Sequence, residues 1–269
     1  MERRAFGWMS TLVPVIGQGT WDMEGNRKAS IAALRRGMDL GMTHIDTAEM
    51  YGNGAVEEIV GEALEGRRAE AFVVSKVLPQ NASRAGTIAA CERSLRRLRM
   101  DSLDVYLLHS PSRHPLAETI AAFEDLVRAG KTTAWGVSNF NTKALEDAVR
   151  VAGATRIACN QVLYYLEDRA VEQELMPACA RHRIALVGYS PFGQGRFRTH
   201  RVLEDIARAH GATARQVALR FLVRDPNAFT IPKSSTVKHV EENAGAGSLE
   251  LTEEEIQRIA AAFPPRRPH

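Results

Sequence analysis

The feature that most constrains this chain is a spacing. Short β-branched or apolar runs bounded by turn residues begin near Val15, Thr43, Phe72, Leu103, Thr132, Ala158, Ala185 and Phe229, about 25 to 30 residues apart until a longer last interval. Amphipathic helical stretches separate them. In residues 86–98, for example, Ile88, Cys91, Leu95 and Leu98 recur at helical spacing. Arg93, Arg96 and Arg97 fall on the other face, read as a solvated surface beside Glu92. Eight strand–helix units close most naturally into a single (β/α)8 TIM barrel, an α/β fold whose site lies at the carboxyl ends of the strands. The expected domain spans residues 1–269, with an N-terminal β segment capping the barrel bottom. A doubly wound sheet would advertise a GxGxxG turn, of which Gly17-Gln18-Gly19 supplies only two glycines.

Composition narrows the function classes. The 269 residues are 45% hydrophobic and 25% charged, as in an ordinary globular domain. The absence of a bilayer-length apolar run and of a signal-peptide pattern gives the expectation of a cytoplasmic protein with no membrane partner. A net charge of +3 is too small for an obligate nucleic-acid binder. Cys91, Cys159 and Cys179 are an odd set at unrelated spacings, read as reduced and structural, and no metal site is expected.

Three consecutive strands then end in an ionisable residue: Asp46 after His44-Ile45, Lys76 after residues 72–75, and His109 after residues 105–108. Neighbouring strands lie about 4.8 Å apart, so strands paired in chain order crowd all three into one mouth. Tyr51, on the glycine-flanked turn that follows Asp46, can bend over them. Lys76 is one of only six lysines in a chain where arginine is the default cation. A phenol with a pKa of about 10 is a poor acid at neutral pH, and a nearby ammonium would lower it. Asp46 is placed to keep a partly buried Lys76 charged, and His109 to hydrogen-bond an incoming oxygen. The four roles fit general acid/base work on a carbonyl or alcohol oxygen.

The last strands add binding groups. Residues 135–140, Asn160-Gln161 and residues 188–191 offer amides, hydroxyls and an aromatic face suited to a carboxamide and a flat ring. Residues 230–236 precede a helical stretch, where Lys233 and neighbouring hydroxyls suit a phosphate.

These motifs occur in order as IGQGTW at 16–21, HIDTAEMYGN at 44–53, VVSKV at 73–77, LDVYLLH at 103–109, WGVSNF at 135–140, NQ at 160–161, GYSP at 188–191 and IPKSS at 231–235. With them the chain resembles an aldo-keto reductase over nearly its whole length. The resemblance implies an extended NADPH in the barrel mouth and hydride transfer to an aldehyde or ketone. Tyr51 would be the acid, with Asp46, Lys76 and His109 as its tuning partners. It further implies that Ser138, Asn139 and Gln161 hold the carboxamide and Tyr189 stacks on the ring. Lys233, Ser234, Thr236, Glu242 and Asn243 would surround the adenosine phosphate. Gly19, Thr20, Trp21, Asp46, Ser190, Pro191, Phe192, Gln194, Ile231 and Pro232 would complete the cofactor groove. Substrate would meet Trp21, Met50, Tyr51, His109 and Ser110.

Three departures shape the specificity expected. His239 stands where the family often has an arginine for the 2′-phosphate, which leaves NADH as a possible but less favoured reductant. Ser110 replaces the tryptophan that often follows the histidine, widening the pocket beside Trp21 and Met50. Residues 263–269 form only a short tail. The expectation is a monomer with an open site for small aldehydes, α-dicarbonyls such as methylglyoxal, and sugar-derived carbonyls. The alternatives are a nicotinamide-binding regulatory subunit with weak turnover, or a lyase using Lys76 as a Schiff base.

Overall fold

The computed structural model describes residues 1–153 and 156–265; the last four positions of the expected domain and tail lie outside the described residues. An antiparallel hairpin, β1 (Arg3–Ala5) with β2 (Leu12–Pro14), precedes the barrel. Eight strands follow: β3 (Gln18–Gly19), β4 (His44–Asp46), β5 (Phe72–Val77), β6 (Leu103–Leu108), β7 (Thr132–Ser138), β8 (Ile157–Leu163), β9 (Ala185–Tyr189) and β10 (Ala228–Ile231). They pair in chain order and in parallel. Parallel bridges from Ile16 to Thr230 and from Gly19 to Lys233 bring the first strand against the last and close the barrel.

The first strand is where expectation and structure part. Val15 is core, but regular pairing to β4 is confined to Gln18–Gly19. Between them the chain runs close over β4: a Cβ on Gly17 would stand 2.8 Å from the His44 carbonyl oxygen, so only glycine fits.

Among the described residues ten α-helices interleave: α1 (Arg27–Asp39), α2 (Ala55–Ala63), α3 (Arg84–Leu98), α4 (Leu116–Arg128), α5 (Thr142–Ala152), α6 (Leu175–Arg181), α7 (Arg201–Ala209), α8 (Ala214–Leu222), α9 (Val237–Gly245) and α10 (Glu253–Ala262). Local chemistry sets several starts. Asn26, Ser83 and Asn141 cap α1, α3 and α5 through their side chains, and Thr213 and Thr252 build capping boxes with Gln216 and Glu255.

One apolar cluster fills the space between strands and helices, and a second fills the barrel interior and continues under α8 and α9. Phe6, at the tip of the hairpin, is fully buried at the amino ends of the strands. Its ring lies 4.9 Å from Phe72, 5.0 Å from Phe229 and 5.7 Å from His44. This floor covers the amino ends of the strands, which leaves the carboxyl ends as the place for a site. Among the described residues no helix is long and apolar enough to cross a membrane.

Candidate active site

Side chains alternate along a strand, so His44 and Asp46 on β4 share the interior with Phe72, Val74 and Lys76 on β5. Lys76 is completely buried. Its Nζ donates to Asp46 Oδ1 at 2.6 Å, to the Thr47 carbonyl at 2.9 Å and to the Tyr51 hydroxyl at 3.3 Å. All three ammonium protons are thereby engaged, and a Schiff-base role is disfavoured because no open face is left for an incoming carbonyl. The second Asp46 oxygen accepts from Gln161 Nε2 at 2.7 Å. Tyr51 begins a tight turn in which Gly52, Asn53 and Gly54 all have positive φ (53°, 51° and 95°). The His109 ring meets the Tyr51 ring edge-on at 6.0 Å, and its buried Nδ1 has no hydrogen-bond partner among the described residues.

These groups open into a cavity of about 420 Å³. Asp46, Tyr51, His109 and Ser110 line its base, with Trp21 and Met50 at the rim. Gly19, Thr20, Ser138, Asn139, Gln161, Tyr189, Ser190, Gln194, Ile231 and Lys233 form its other walls. Backbone strain gathers here too. Asp22, Asn53, Asn139, Ser190 and Gln194, none a glycine, all have positive φ on loops leaving the carboxyl ends of strands.

Not every expected residue reaches this cavity. Pro191, Phe192, Pro232, Ser234, Thr236, Glu242 and Asn243 do not line it. Phe192 turns away to pack edge-on against Phe197 at 5.4 Å, with the Arg215 guanidinium 4.7 Å from its ring. Asn243 is buried on the inner face of α9 with Val240 and Ala244. Ser234 and Thr236 stand together before α9, where Ser234 Oγ accepts from the Thr236 N–H at 3.1 Å.

The sequence profile of the Aldo/keto reductase family matches residues 15–263. The chain is 43% identical to methylglyoxal reductase YeaE of Escherichia coli over 94% of its own length and 92% of that protein. It is 34% identical to a glyoxal reductase of Bacillus subtilis, covering 93% and 88%. The crystal structure of an aldo/keto reductase from Klebsiella pneumoniae in complex with NADP and acetate superposes with a TM-score of 0.94 at 42% identity, covering 100% of this chain and 98% of that one.

The chain belongs to the aldo/keto reductase family. It is therefore an oxidoreductase built on a (β/α)8 barrel, and its site can be read as that of a reductase.

The electrostatics of this reductase differ from expectation at one point. Burial pushes the Tyr51 phenol up, and the pull of Lys76 in the other direction does not overcome it. The ammonium therefore limits the rise and does not produce a net drop. Burial works against the Lys76 charge, but Asp46 first and Tyr51 second outweigh it and hold the ammonium above its ordinary value. Burial also pushes the Asp46 carboxyl up against the pull of Lys76. The 2.6 Å contact, with Gln161 on the other oxygen, fits an ion pair best. Burial, then the Lys76 charge, pushes His109 down to about 3, so its imidazole is neutral.

Sequence reasoning missed four groups. Leu78 and Pro79 line the cavity directly after β5, and their closeness to Lys76 was the available signal. Arg93 and Arg97, read as solvated, instead reach back from α3 to the buried carboxylates Glu49 (3.4 Å) and Glu57 (2.6 Å). The side chains expected to meet a carboxamide are engaged within the protein. Ser138 Oγ donates to the Gln161 carbonyl at 2.9 Å, Asn139 Nδ2 to the His109 carbonyl at 2.9 Å, and Tyr189 Oη to Asn139 Oδ1 at 2.9 Å.

Proposed function

We propose that this reductase converts small aldehydes, α-dicarbonyls such as methylglyoxal, and sugar-derived carbonyls to alcohols at the expense of NADPH, with Tyr51 as the general acid. The observation that carries the reading is the Tyr51 hydroxyl, 3.3 Å from Lys76 Nζ at the base of a cavity it shares with His109.

The groove fits a phosphorylated dinucleotide. Lys233 supplies a cation in the cavity wall, and α9 begins just after it with an N-cap, Thr236, that makes no side-chain cap among the described residues, leaving N–H groups for an anion. The exposed face of Tyr189 and the amides of Asn139 and Gln161 suit a carboxamide-bearing ring, provided Tyr189 releases Asn139. NADPH, when bound, supplies the hydride. The chain then has to orient the carbonyl and deliver a proton.

Tyr51 donates its proton to the oxygen on which negative charge develops. Lys76 stabilises the phenolate left behind, and Asp46 offsets the cost of keeping that ammonium in the interior. Neutral His109 holds the same oxygen by a hydrogen bond and fixes its direction of approach. Breadth of substrate is supported by the rim, where Trp21 and Met50 are 50% and 44% exposed, and by Ser110, which adds little bulk. The glyoxal- and methylglyoxal-reducing relatives favour α-dicarbonyls among these substrates. Within this reading the protein acts in the cytoplasm as a monomer, and its three buried, free cysteines agree with a reducing compartment.

Steady-state rates with methylglyoxal, an aromatic aldehyde and an aldose, each with NADPH and with NADH, test the proposal. It expects turnover on all three with NADPH favoured. Preference for a single substrate by several decades, or no turnover at all, would contradict it.

A further inference from the structure

We propose that Glu49 and Glu57 are positioning residues that hold the Tyr51 turn at a fixed distance from Lys76. The inference rests on the reading of Tyr51 as the general acid.

The turn needs support. Two of its three successive positive φ values fall on Gly52 and Gly54, whose freedom leaves the turn unfixed unless its surroundings hold it, and the third is at Asn53, a non-glycine held left-handed between them. Two carboxylates hold the turn from either side. Glu49, two residues before Tyr51, accepts through Oε1 from the Leu78 N–H at 2.8 Å and from Asn81 Nδ2 at 2.9 Å, and its Oε2 faces Arg93 at 3.4 Å. Glu57, six residues after Tyr51, accepts from Ser75 Oγ and from Arg97 Nε, each at 2.6 Å. The Arg97 side chain in turn packs on the turn itself, where a Cβ on Gly54 would stand 2.6 Å from it.

The partners on β5 and its exit give this pattern its meaning. Ser75 immediately precedes Lys76, and Leu78 follows it by two residues. The segment carrying the phenol is thus tied at both ends to the segment carrying its cation. Glu57 is fully buried and Glu49 nearly so. The carboxylates are buried while the Arg93 and Arg97 side chains are 41% and 21% exposed, and ion pairs of this kind add little net stability, so stability alone does not account for two of them here. Geometry does, because a catalytic group displaced by about 1 Å can lose about a hundredfold in rate.

The test compares Glu49→Ala, Glu49→Gln, Ser75→Ala and Tyr51→Phe in the full-length chain, by methylglyoxal turnover, NADPH affinity from fluorescence, and thermal stability. Glu49→Ala and Ser75→Ala are expected to lower kcat by about tenfold or more with NADPH affinity within about twofold of wild type. Glu49→Gln keeps the acceptor for Leu78 and Asn81 and is expected to recover kcat to within about threefold. Folded Glu49→Ala and Ser75→Ala proteins with wild-type kcat, or a Glu49→Gln protein as impaired as Glu49→Ala, overturn the proposal. If Glu49→Ala does not fold, Ser75→Ala decides alone. Tyr51→Phe separates the two levels: if it is inactive while the other variants are at full rate, only the positioning role falls, and if it is active, the acid assignment falls with it.

Discussion

The Nζ of Lys76 lies 3.3 Å from the Tyr51 hydroxyl and 5.0 Å from the centre of its ring, in an interior where Asp46 balances the charge. An ammonium so placed stabilises a phenolate more than a phenol, which is what a proton donor at this position requires. Lys76→Met should therefore cost about 10²- to 10⁴-fold in kcat. It should also destabilise the fold by about 3–5 kcal/mol, because Asp46 is left as an unpaired buried charge. Adding Asp46→Asn should restore most of the stability and none of the rate. A double variant that regains activity in steady-state assays would sink the division of labour between the two residues.

The pH profile separates Tyr51 from His109. Tyr51 is raised above the ordinary phenol value of 10, so the donor form persists as pH rises and reduction should slow only beyond that value. His109 is pushed down to about 3, far below the ordinary 6.5, so it stays neutral throughout the working range. The plot of log kcat for reduction should be level between about pH 6 and pH 9. A limb of unit slope near pH 6.5 that disappears in His109→Asn would show that the histidine titrates after all.

Asp22 stands 4.0 Å from Lys233 at the mouth of the groove, with the left-handed backbone noted above. It competes for the cation that an anionic cofactor needs. Asp22→Asn should tighten NADPH binding by about two- to fivefold, within the range of an exposed ion pair, and more so at low salt. Unchanged or weaker binding in a fluorescence titration would count against that competition.

Phe6 offers a control remote from the chemistry. Truncation to alanine opens a cavity among Phe72, Phe229 and His44 and should cost about 3–5 kcal/mol in denaturant unfolding. Turnover per folded molecule should not change, and a fall in kcat would mean that the hairpin reaches the site.

Much of the barrel was legible because each strand is a buried run between turn residues. Seven of the eight anticipated starts lie within one residue of the observed strands. The first does not, because its pairing depends on how closely Gly17 passes His44, a tertiary fact with no local signature. The site followed the same pattern. Asp46, Lys76 and His109 announce themselves as ionisable residues at strand ends. Gln161 turns to Asp46 from 115 residues away, and Arg93 and Arg97 reach carboxylates 44 and 40 residues distant. Helical periodicity can name the face those arginines occupy but not what stands opposite.

The most direct measurement is single-turnover reduction of methylglyoxal by Tyr51→Phe with saturating NADPH, beside an independent measure of cofactor affinity. If Tyr51 is the acid, the hydride-transfer step slows by about 10²- to 10⁴-fold while NADPH binds as in the wild type. A Tyr51→Phe protein that reduces methylglyoxal at the wild-type rate would remove the phenol from the mechanism.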